Sequence, residues 1–141
     1  MDSTARLVLT ARPEVEGVIA AICQVPVREV LATAMDTGAV LALVAATTTV
    51  SAKRLARAIG GKKAHLMDVT SAERVSGSVT GAISPLGLWQ ELPVVIDEEV
   101  LLHSVVYVSA GRRGLEISLD PQDLITATGA RVAALGTPAR N

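Results

Sequence analysis

Residues 75–88 read Val-Ser-Gly-Ser-Val-Thr-Gly-Ala-Ile-Ser-Pro-Leu-Gly-Leu, a stretch with three glycines, one proline and no charged side chain. Loops are usually polar, because they run over the surface in contact with water. Glycine lacks the Cβ that would hold a ligand away, and Pro85 fixes its own φ and favours an extended Ser84. The stretch therefore predicts either the wall of a small pocket or a buried connection between core elements, and its composition favours neither.

Composition places the whole chain among small proteins with one core. The 141 residues suffice for a single domain, and half of them are hydrophobic although Trp89 and Tyr107 are the only aromatic residues. The net charge of −1 gives no overall field that would attract nucleic acid. A single cysteine, Cys23, cannot form an internal disulfide. With no signal peptide and no apolar run of membrane-spanning length, we expect a soluble, cytoplasmic protein without a membrane partner.

Apolar spacing and turn residues predict a succession of short elements. Strands are expected at residues 6–11, 29–35, 39–45, 64–67, 93–96, 105–109, 115–119 and 130–135. Helices or helical turns are expected at residues 14–24, 51–59, 70–75 and 98–102 and after Asp120, with N-caps Ser51, Thr70 and Asp120. Because several connections are too short for parallel crossovers, the sequence predicts an α+β fold. We expect one domain over residues 1–141, with a mixed, mostly antiparallel sheet covered by short helices and a frayed tail at 136–141.

Side chains for conventional catalysis are scarce. His65 and His103 are the only histidines, and no His or Cys spacing matches a metal site. The sequence has neither a nucleophile elbow nor a phosphate-binding glycine loop followed by lysine. We therefore expect no cofactor and no metal. An enzyme built from these residues would depend on backbone dipoles and on groups of its substrate.

Four spaced motifs resemble the YbaK-type aminoacyl-tRNA deacylases, which are free-standing relatives of the editing insertion of bacterial prolyl-tRNA synthetases. They are the glycine loop at 77–87, Leu-Pro-Val-Val-Ile-Asp at 92–97, Val-Tyr-Val-Ser-Ala-Gly-Arg-Arg-Gly-Leu-Glu-Ile-Ser-Leu at 106–119, and the basic stretch at 53–63. The motifs occur in the family's order, and the resemblance extends from about residue 6 to residue 135. It implies the YbaK fold and hydrolysis of the ester that joins a wrong amino acid to tRNA.

The resemblance also implies which residues form the site. In this family the loop that reads Gly81-Ala-Ile-Ser-Pro85 here borders the pocket, and Ser109 and Glu116 match polar pocket positions of the cysteinyl-editing branch, where aspartate is usual at 116. The implied catalytic positions are Gly81, Ala32, Ser109 and Glu116. The implied substrate-binding positions are Thr33, Ala82, Ile83, Ser84, Pro85 and Gly111.

One position departs from the family. Relatives carry a pocket lysine in the second strand, in the pattern apolar-apolar-Lys-Ser/Thr-Leu, and the run Val30-Leu31-Ala32-Thr33-Ala34 is the expected equivalent. This register puts Ala32 in the place of the lysine. Loss of that cation would remove a charge-assisted hydrogen bond, on the order of 1.5–3 kcal/mol.

Five of the thirteen basic residues fall within residues 53–63, namely Lys53, Arg54, Arg57, Lys62 and Lys63. This cluster is either a solvated helix face or a contact for tRNA acceptor phosphates. Two functions remain open. One is a trans-acting deacylase, acting on a small amino acid such as Cys, Ala or Ser on tRNA(Pro) or a similar tRNA. The other is a non-catalytic module that binds tRNA or aminoacyl-adenosine. Further expectations are a synthetase as a second partner and a monomeric state.

Overall fold

The computed structural model describes residues 6–9, 24–34, 38–79, 82–88 and 90–138. The described strands are β1 Arg6–Leu9, β2 Gln24–Ala34, β3 Gly38–Ala45, β4 Thr48–Val50, β5 Ala64–Leu66, β6 Val94–Asp97, β7 Val105–Arg112, β8 Leu115–Leu119, β9 Arg131–Ala133 and β10 Gly136–Pro138. The described helices are α1 Ala52–Ala58, α2 Val69–Ser76, α3 Pro121–Thr128 and a 3-10 helix at Glu98–Leu102. Within these ranges no helix has the length and apolarity needed to cross a bilayer.

Eight of the described strands form one mixed sheet, in the order β1-β8-β7-β2-β3-β6-β9, with β5 also paired to β2. The pairs β1–β8, β7–β8, β2–β3 and β2–β5 are antiparallel, and the pairs β2–β7, β3–β6 and β6–β9 are parallel. A separate antiparallel pair joins β4 to β10. The predicted fold class, a single α+β domain with a mixed and mostly antiparallel sheet, is confirmed.

The long strand β2 is shared by two neighbours along one of its edges. Its residues 24–26 pair with β7, and its residues 32–34 pair with β5. Its other edge is occupied by β3 from residue 27 to residue 34. Within the described part of the chain, residues 27–30 therefore pair with no strand along this edge, and they face a gap between β7 and β5. This gap positions the site described below.

Alternation along β2 directs its side chains into two separate cores. Val27 and Leu31 belong to the first core, which also contains Ile83 and Leu124 and is packed by α2, α3 and residues of the glycine loop. On the opposite face of the sheet, Ala32 belongs to the second core. The other buried members of that second core are Ala34, Val40, Ala42, Val44, Val50, Leu55, Val95 and Leu135.

Local capping chemistry explains where the helices begin. The Ser51 hydroxyl accepts a hydrogen bond from the Arg54 N–H at the start of α1, and the Asp120 carboxylate accepts one from the Gln122 N–H at the start of α3, as predicted. The predicted cap at Thr70 is wrong. Helix α2 starts one residue earlier, because the Asp68 carboxylate accepts the Ser71 N–H at 2.8 Å.

Long-range pairing overturns two further expectations. The tail was expected to fray from residue 136, but Gly136–Pro138 forms β10 and pairs with β4, a strand that local patterning did not predict. The strand expected at 29–35 begins earlier, at Gln24. Pro26 therefore lies inside β2, and the carbonyl of Pro26 accepts the Ala46 N–H. Of the helix predicted at 14–24, the last residue is wrong, because Gln24 begins β2. The rest of that helix, Cys23 and Trp89 lie outside the described residues.

Candidate functional site

A cavity of about 230 Å³ lies beside residues 28–31 of β2, next to the end of β5. Strand β2 supplies one wall, and β5, α2 and the glycine loop supply the others. The lining residues are Arg28, Glu29, Val30, Leu31, Leu66, Met67, Val69, Ala72 and Ile83. Most of these side chains are apolar, so the walls favour apolar groups of a ligand, while the exposed Arg28, Leu66 and Val69 leave the cavity accessible to water.

Glu29 is the acidic residue of this cavity and lies at the middle of the gap. Its Oε1 accepts a 3.0 Å hydrogen bond from the backbone N–H of Ser109 in β7. The carboxylate thus pairs with a backbone donor of the strand that has diverged from β2. Hydrogen bonding to a charge fixes the carboxyl in one position, because such bonds are stronger than those between neutral groups.

Burial of the Glu29 carboxyl raises its pKa from 4.5 to about 7, against the hydrogen bond from Ser109, which lowers it. The negative charge of Glu116 in β8 adds a smaller upward contribution. A carboxyl with this pKa exists in both forms near neutral pH. It can therefore exchange a proton under ordinary conditions, or become fully ionised when a cation binds beside it.

Ser109 and Glu116 are brought together on the neighbouring strands, as the resemblance implies. They face one another across the β7–β8 pair, next to an irregularity in the pairing between Ser109 and Arg112. The Ser109 hydroxyl accepts the N–H of Gly111 at 3.3 Å, and Gly111 has a φ of +91°, which favours glycine. Through its backbone N–H, Ser109 links this pair of strands to Glu29.

The glycine loop is both a buried connection and part of a pocket wall, the two alternatives that its composition left open. Ala82, Ile83, Ser84 and Pro85 are all buried, and Ile83 joins the first core while also lining the Glu29 cavity. The Ser84 hydroxyl accepts the N–H of Leu86 at 3.2 Å and so shapes the loop itself. Gly81 lies outside the described residues.

Pro85 lines a different and larger cavity of about 460 Å³, between residues 85–94 and the end of α3. That cavity contains Gln90, whose side-chain amide donates to the carbonyl of Val75, but it contains neither Glu29 nor Ile83. Both cavities combine the loop with a carboxyl group, Glu91 in the larger one and Glu29 in the smaller one. Glu91 is exposed, whereas Glu29 is half-buried and hydrogen bonded to Ser109.

Ala32 does not line the site. Its side chain is fully buried in the second core, on the opposite face of β2 from Leu31. The predicted register therefore assigns the missing lysine to a position that faces away from the cavity. Thr33 is exposed and pairs with His65 of β5, at the end of β2 beyond the cavity.

The sequence prediction overlooked Glu29, although a signal for it was present. Side chains of a strand alternate between its two faces, and the odd-numbered residues Val27 and Leu31 of β2 face the first core. Glu29 lies between them on the same face and is charged. A charge at an apolar position of a buried strand is a candidate functional residue.

The basic cluster lies on α1 and on the segment that leads into β5. All five of its members are exposed: Lys53, Arg54, Arg57, Lys62 and Lys63. The Arg54 guanidinium is held by a 2.7 Å hydrogen bond to the carbonyl of Gly136. Lys63 directly precedes β5, whose last residue, Leu66, lines the Glu29 cavity. No three His, Cys, Asp or Glu side chains in the described part of the chain are grouped to hold a metal.

A family model for the aminoacyl-tRNA editing domain matches residues 19–127. EbsC of Enterococcus faecalis, a candidate Cys-tRNA(Pro)/Cys-tRNA(Cys) deacylase, is 33% identical over 101 residues, which make up 72% of this chain and 62% of EbsC. The match thus spans less than two thirds of that relative.

Two solved structures share the fold. A candidate trans-editing enzyme for prolyl tRNA synthetase has a TM-score of 0.82 at 22% identity, over 94% of this chain and 87% of that one. Hypothetical protein APE2540 has a TM-score of 0.84 at 20% identity, over 95% of this chain and 92% of that one. The chain belongs to the aminoacyl-tRNA editing domain family, of the YbaK type.

Proposed function

We propose that this protein is a trans-acting aminoacyl-tRNA deacylase that removes a small amino acid from a mischarged tRNA. The observation that carries the proposal is the cavity that Glu29 shares with Ile83 of the glycine loop, in a chain of the editing family. Its volume of about 230 Å³ suits a small aminoacyl group and excludes a folded nucleic acid. Cys, Ala and Ser are the amino acids of suitable size.

The reaction adds water to the ester carbonyl and releases the free amino acid and the terminal ribose hydroxyl of tRNA. An aminoacyl ester is already activated, so correct placement and dipoles that stabilise the developing oxyanion provide most of the catalysis. The buried loop at Ala82–Pro85 supplies a rigid wall for that placement. The half-protonated Glu29 carboxyl and the Ser109–Glu116 pair are the polar groups beside it.

The exposed cations near β5 are suited to bind the acceptor end of the tRNA. Lys63 is three residues from Leu66 at the cavity, a span of about 10 Å in an extended strand. Phosphates bound by Lys62 and Lys63 would therefore lie within a few nucleotides of an ester held in the cavity. The proposed partner is a mischarged tRNA in the cytoplasm, and a synthetase that supplies it would be a second partner.

A specific observation favours a second candidate, a non-catalytic module that binds aminoacyl-tRNA. Moved back by three residues, the family's lysine pattern falls on Val27-Arg28-Glu29-Val30-Leu31. This register keeps Val27 and Leu31 at apolar positions and puts Glu29 at the lysine, but it puts Arg28 at an apolar position and Val30 at the Ser/Thr position. A carboxylate in the place of the lysine would abolish hydrolysis while leaving the pocket and the basic cluster able to bind.

The decisive experiment measures deacylation of a panel of tRNAs charged with Cys, Ala or Ser, with release of labelled amino acid followed over time. The deacylase proposal expects at least one member to decay tenfold faster than in buffer. Decay at the buffer rate for every member, together with retained tRNA binding, would support the binding module instead. The variant Ile83→Ala shortens a side chain of the cavity wall and so enlarges the cavity. It should slow the reaction if the ester lies in this cavity.

A further inference from the structure

We propose that Glu29 is a specificity-determining residue that binds the free α-ammonium group of the aminoacyl moiety, and so restricts the site to substrates with an unblocked amino terminus and a small side chain. This inference rests on the proposed function, because it assumes that the cavity receives the aminoacyl end of a tRNA. It adds the identity of the chemical group that the cavity recognises.

Glu29 gives the cavity an acidic group with which a cationic part of the ligand can pair. Glu29 lines the cavity, and its other charged lining residue, Arg28, donates a 2.8 Å hydrogen bond from its guanidinium to the carbonyl of Thr48. The nearby ionisable group of β8, Glu116, is also acidic. At the end of an aminoacyl-tRNA the phosphates are anionic and the ribose is neutral. The α-ammonium is therefore the one cation that every such ligand carries.

A second interpretation, in which Glu29 binds a basic side chain of the aminoacyl group, predicts equal affinity for the two alanyl ligands compared below. Leu31, Leu66, Met67, Val69 and Ile83 line the space around the carboxyl and offer no hydrogen-bond acceptor from their side chains. A small apolar side chain fits these walls while the ammonium group reaches Glu29.

Such an ion pair would also place the reacting atom. The ester carbonyl carbon is two bonds from the ammonium nitrogen, about 2.5 Å away. An ammonium group on Glu29 therefore brings the carbonyl into the same cavity, which Ile83 of the glycine loop also lines. The hydrogen bond from Ser109 holds the carboxylate in place before the ligand arrives, which reduces the entropy lost on binding.

The test compares two hydrolysis-resistant ligands by isothermal titration calorimetry at pH 7.5. They are 3′-alanylamino-3′-deoxyadenosine and its N-acetyl derivative, which differ in the charge of the α-nitrogen. The wild-type protein should bind the free amine at least tenfold more tightly than the acetylated form. In Glu29→Gln, which keeps an oxygen for the Ser109 N–H, the two affinities should agree within twofold. The control Glu98→Gln, an exposed residue of the 3-10 helix, should keep the wild-type ratio.

Equal affinity of the wild-type protein for the two ligands, a ratio that survives in Glu29→Gln, or failure of both ligands to bind would each overturn the inference. The deacylation panel is scored separately. Hydrolysis without a preference for the free amine would sustain the proposed function and reject the role of Glu29. A preference for the amine without hydrolysis would sustain the role of Glu29 in a binding module.

Discussion

The backbone N–H of Ser109 donates a 3.0 Å hydrogen bond to the carboxylate of Glu29, a residue 80 positions earlier in the chain. This contact lies where β2 and β7 have stopped pairing through their backbones. A buried backbone donor that loses its ladder partner needs another acceptor, and the Glu29 side chain supplies it. The same carboxyl lines the cavity, so one residue both stabilises the divergent strands and defines the chemistry between them.

Replacement of Glu29 by glutamine should change how stability depends on pH. Because the folded-state pKa of Glu29 is raised from 4.5 to about 7, the folded wild-type protein holds a proton that the unfolded chain has lost over this range. The wild-type protein should therefore lose stability as pH rises from about 4.5 to about 7. Glutamine does not titrate, so Glu29→Gln should gain up to about 3 kcal/mol relative to wild type between pH 4.5 and pH 8.

Urea unfolding at several pH values measures this difference. The charged neighbours to consider are Arg28 beside Glu29 on β2 and Glu116 on β8, whereas β5, α2 and the glycine loop line the cavity with apolar side chains. Glu98→Gln is the control for removal of an exposed carboxyl. A constant difference between Glu29→Gln and wild type across the range would mean that the Glu29 carboxyl is not shifted.

Gly136→Ala should destabilise the protein by about 1–3 kcal/mol, because it overpacks the β4–β10 contact. A Cβ at Gly136 would collide with the Thr48 side chain and lie 2.8 Å from Oδ2 of Asp97. Asp97 is itself buried, and its Oδ1 accepts the N–H of Leu135 at 3.0 Å, so it has little freedom to move. Gly87→Ala is the control, since a Cβ there meets nothing within 4 Å. Equal midpoints of urea unfolding for the two variants would contradict the close packing at Gly136.

If tRNA phosphates contact the segment before β5, Lys62→Gln and Lys63→Gln should each reduce the salt dependence of tRNA binding. Each lost phosphate contact lowers the slope of log K against log salt by about one. Filter binding of an uncharged tRNA from 50 to 300 mM salt gives the slope without the complication of hydrolysis. Arg112→Gln, at an exposed position at the end of β7, is the matched control. Unchanged slopes in both lysine variants would identify the cluster as a solvated surface.

The elements that sequence predicted well are those decided by neighbouring residues. Ser51 and Asp120 cap their helices as expected, because each cap depends on an N–H two or three residues away. The fold class also followed from local patterns and from the resemblance. Strands β4 and β10 escaped prediction, since three-residue strands are stabilised by partners far along the chain.

The fold brings together some of the expected site residues. Ile83, Ser109 and Glu116 lie near the middle of β2, whereas Ala32 lies in the core on the opposite face of the strand. Residues three apart in a strand lie on opposite faces of the sheet, so a small difference in register decides which of them faces a cavity. The charge at an apolar position of β2 marks Glu29 in the sequence, but only the three-dimensional separation of β2 from β7 shows that it lies at the gap.

A lysine at position 32 should therefore disrupt folding and should not restore a family active site. Ala32 is fully buried in the second core, where an ammonium group would have no partner; the cost is several kcal/mol, a large share of a domain's total stability. Thr33→Lys, one residue later and exposed, should stay within about 0.5 kcal/mol of wild type. Glu29→Lys should also fold, because a lysine there can extend its charge through the cavity towards water. Thermal unfolding and deacylation of the three variants decide the register: if Ala32→Lys is as stable as Thr33→Lys and hydrolyses faster than wild type, residue 32 faces the substrate and the assignment of Glu29 is wrong.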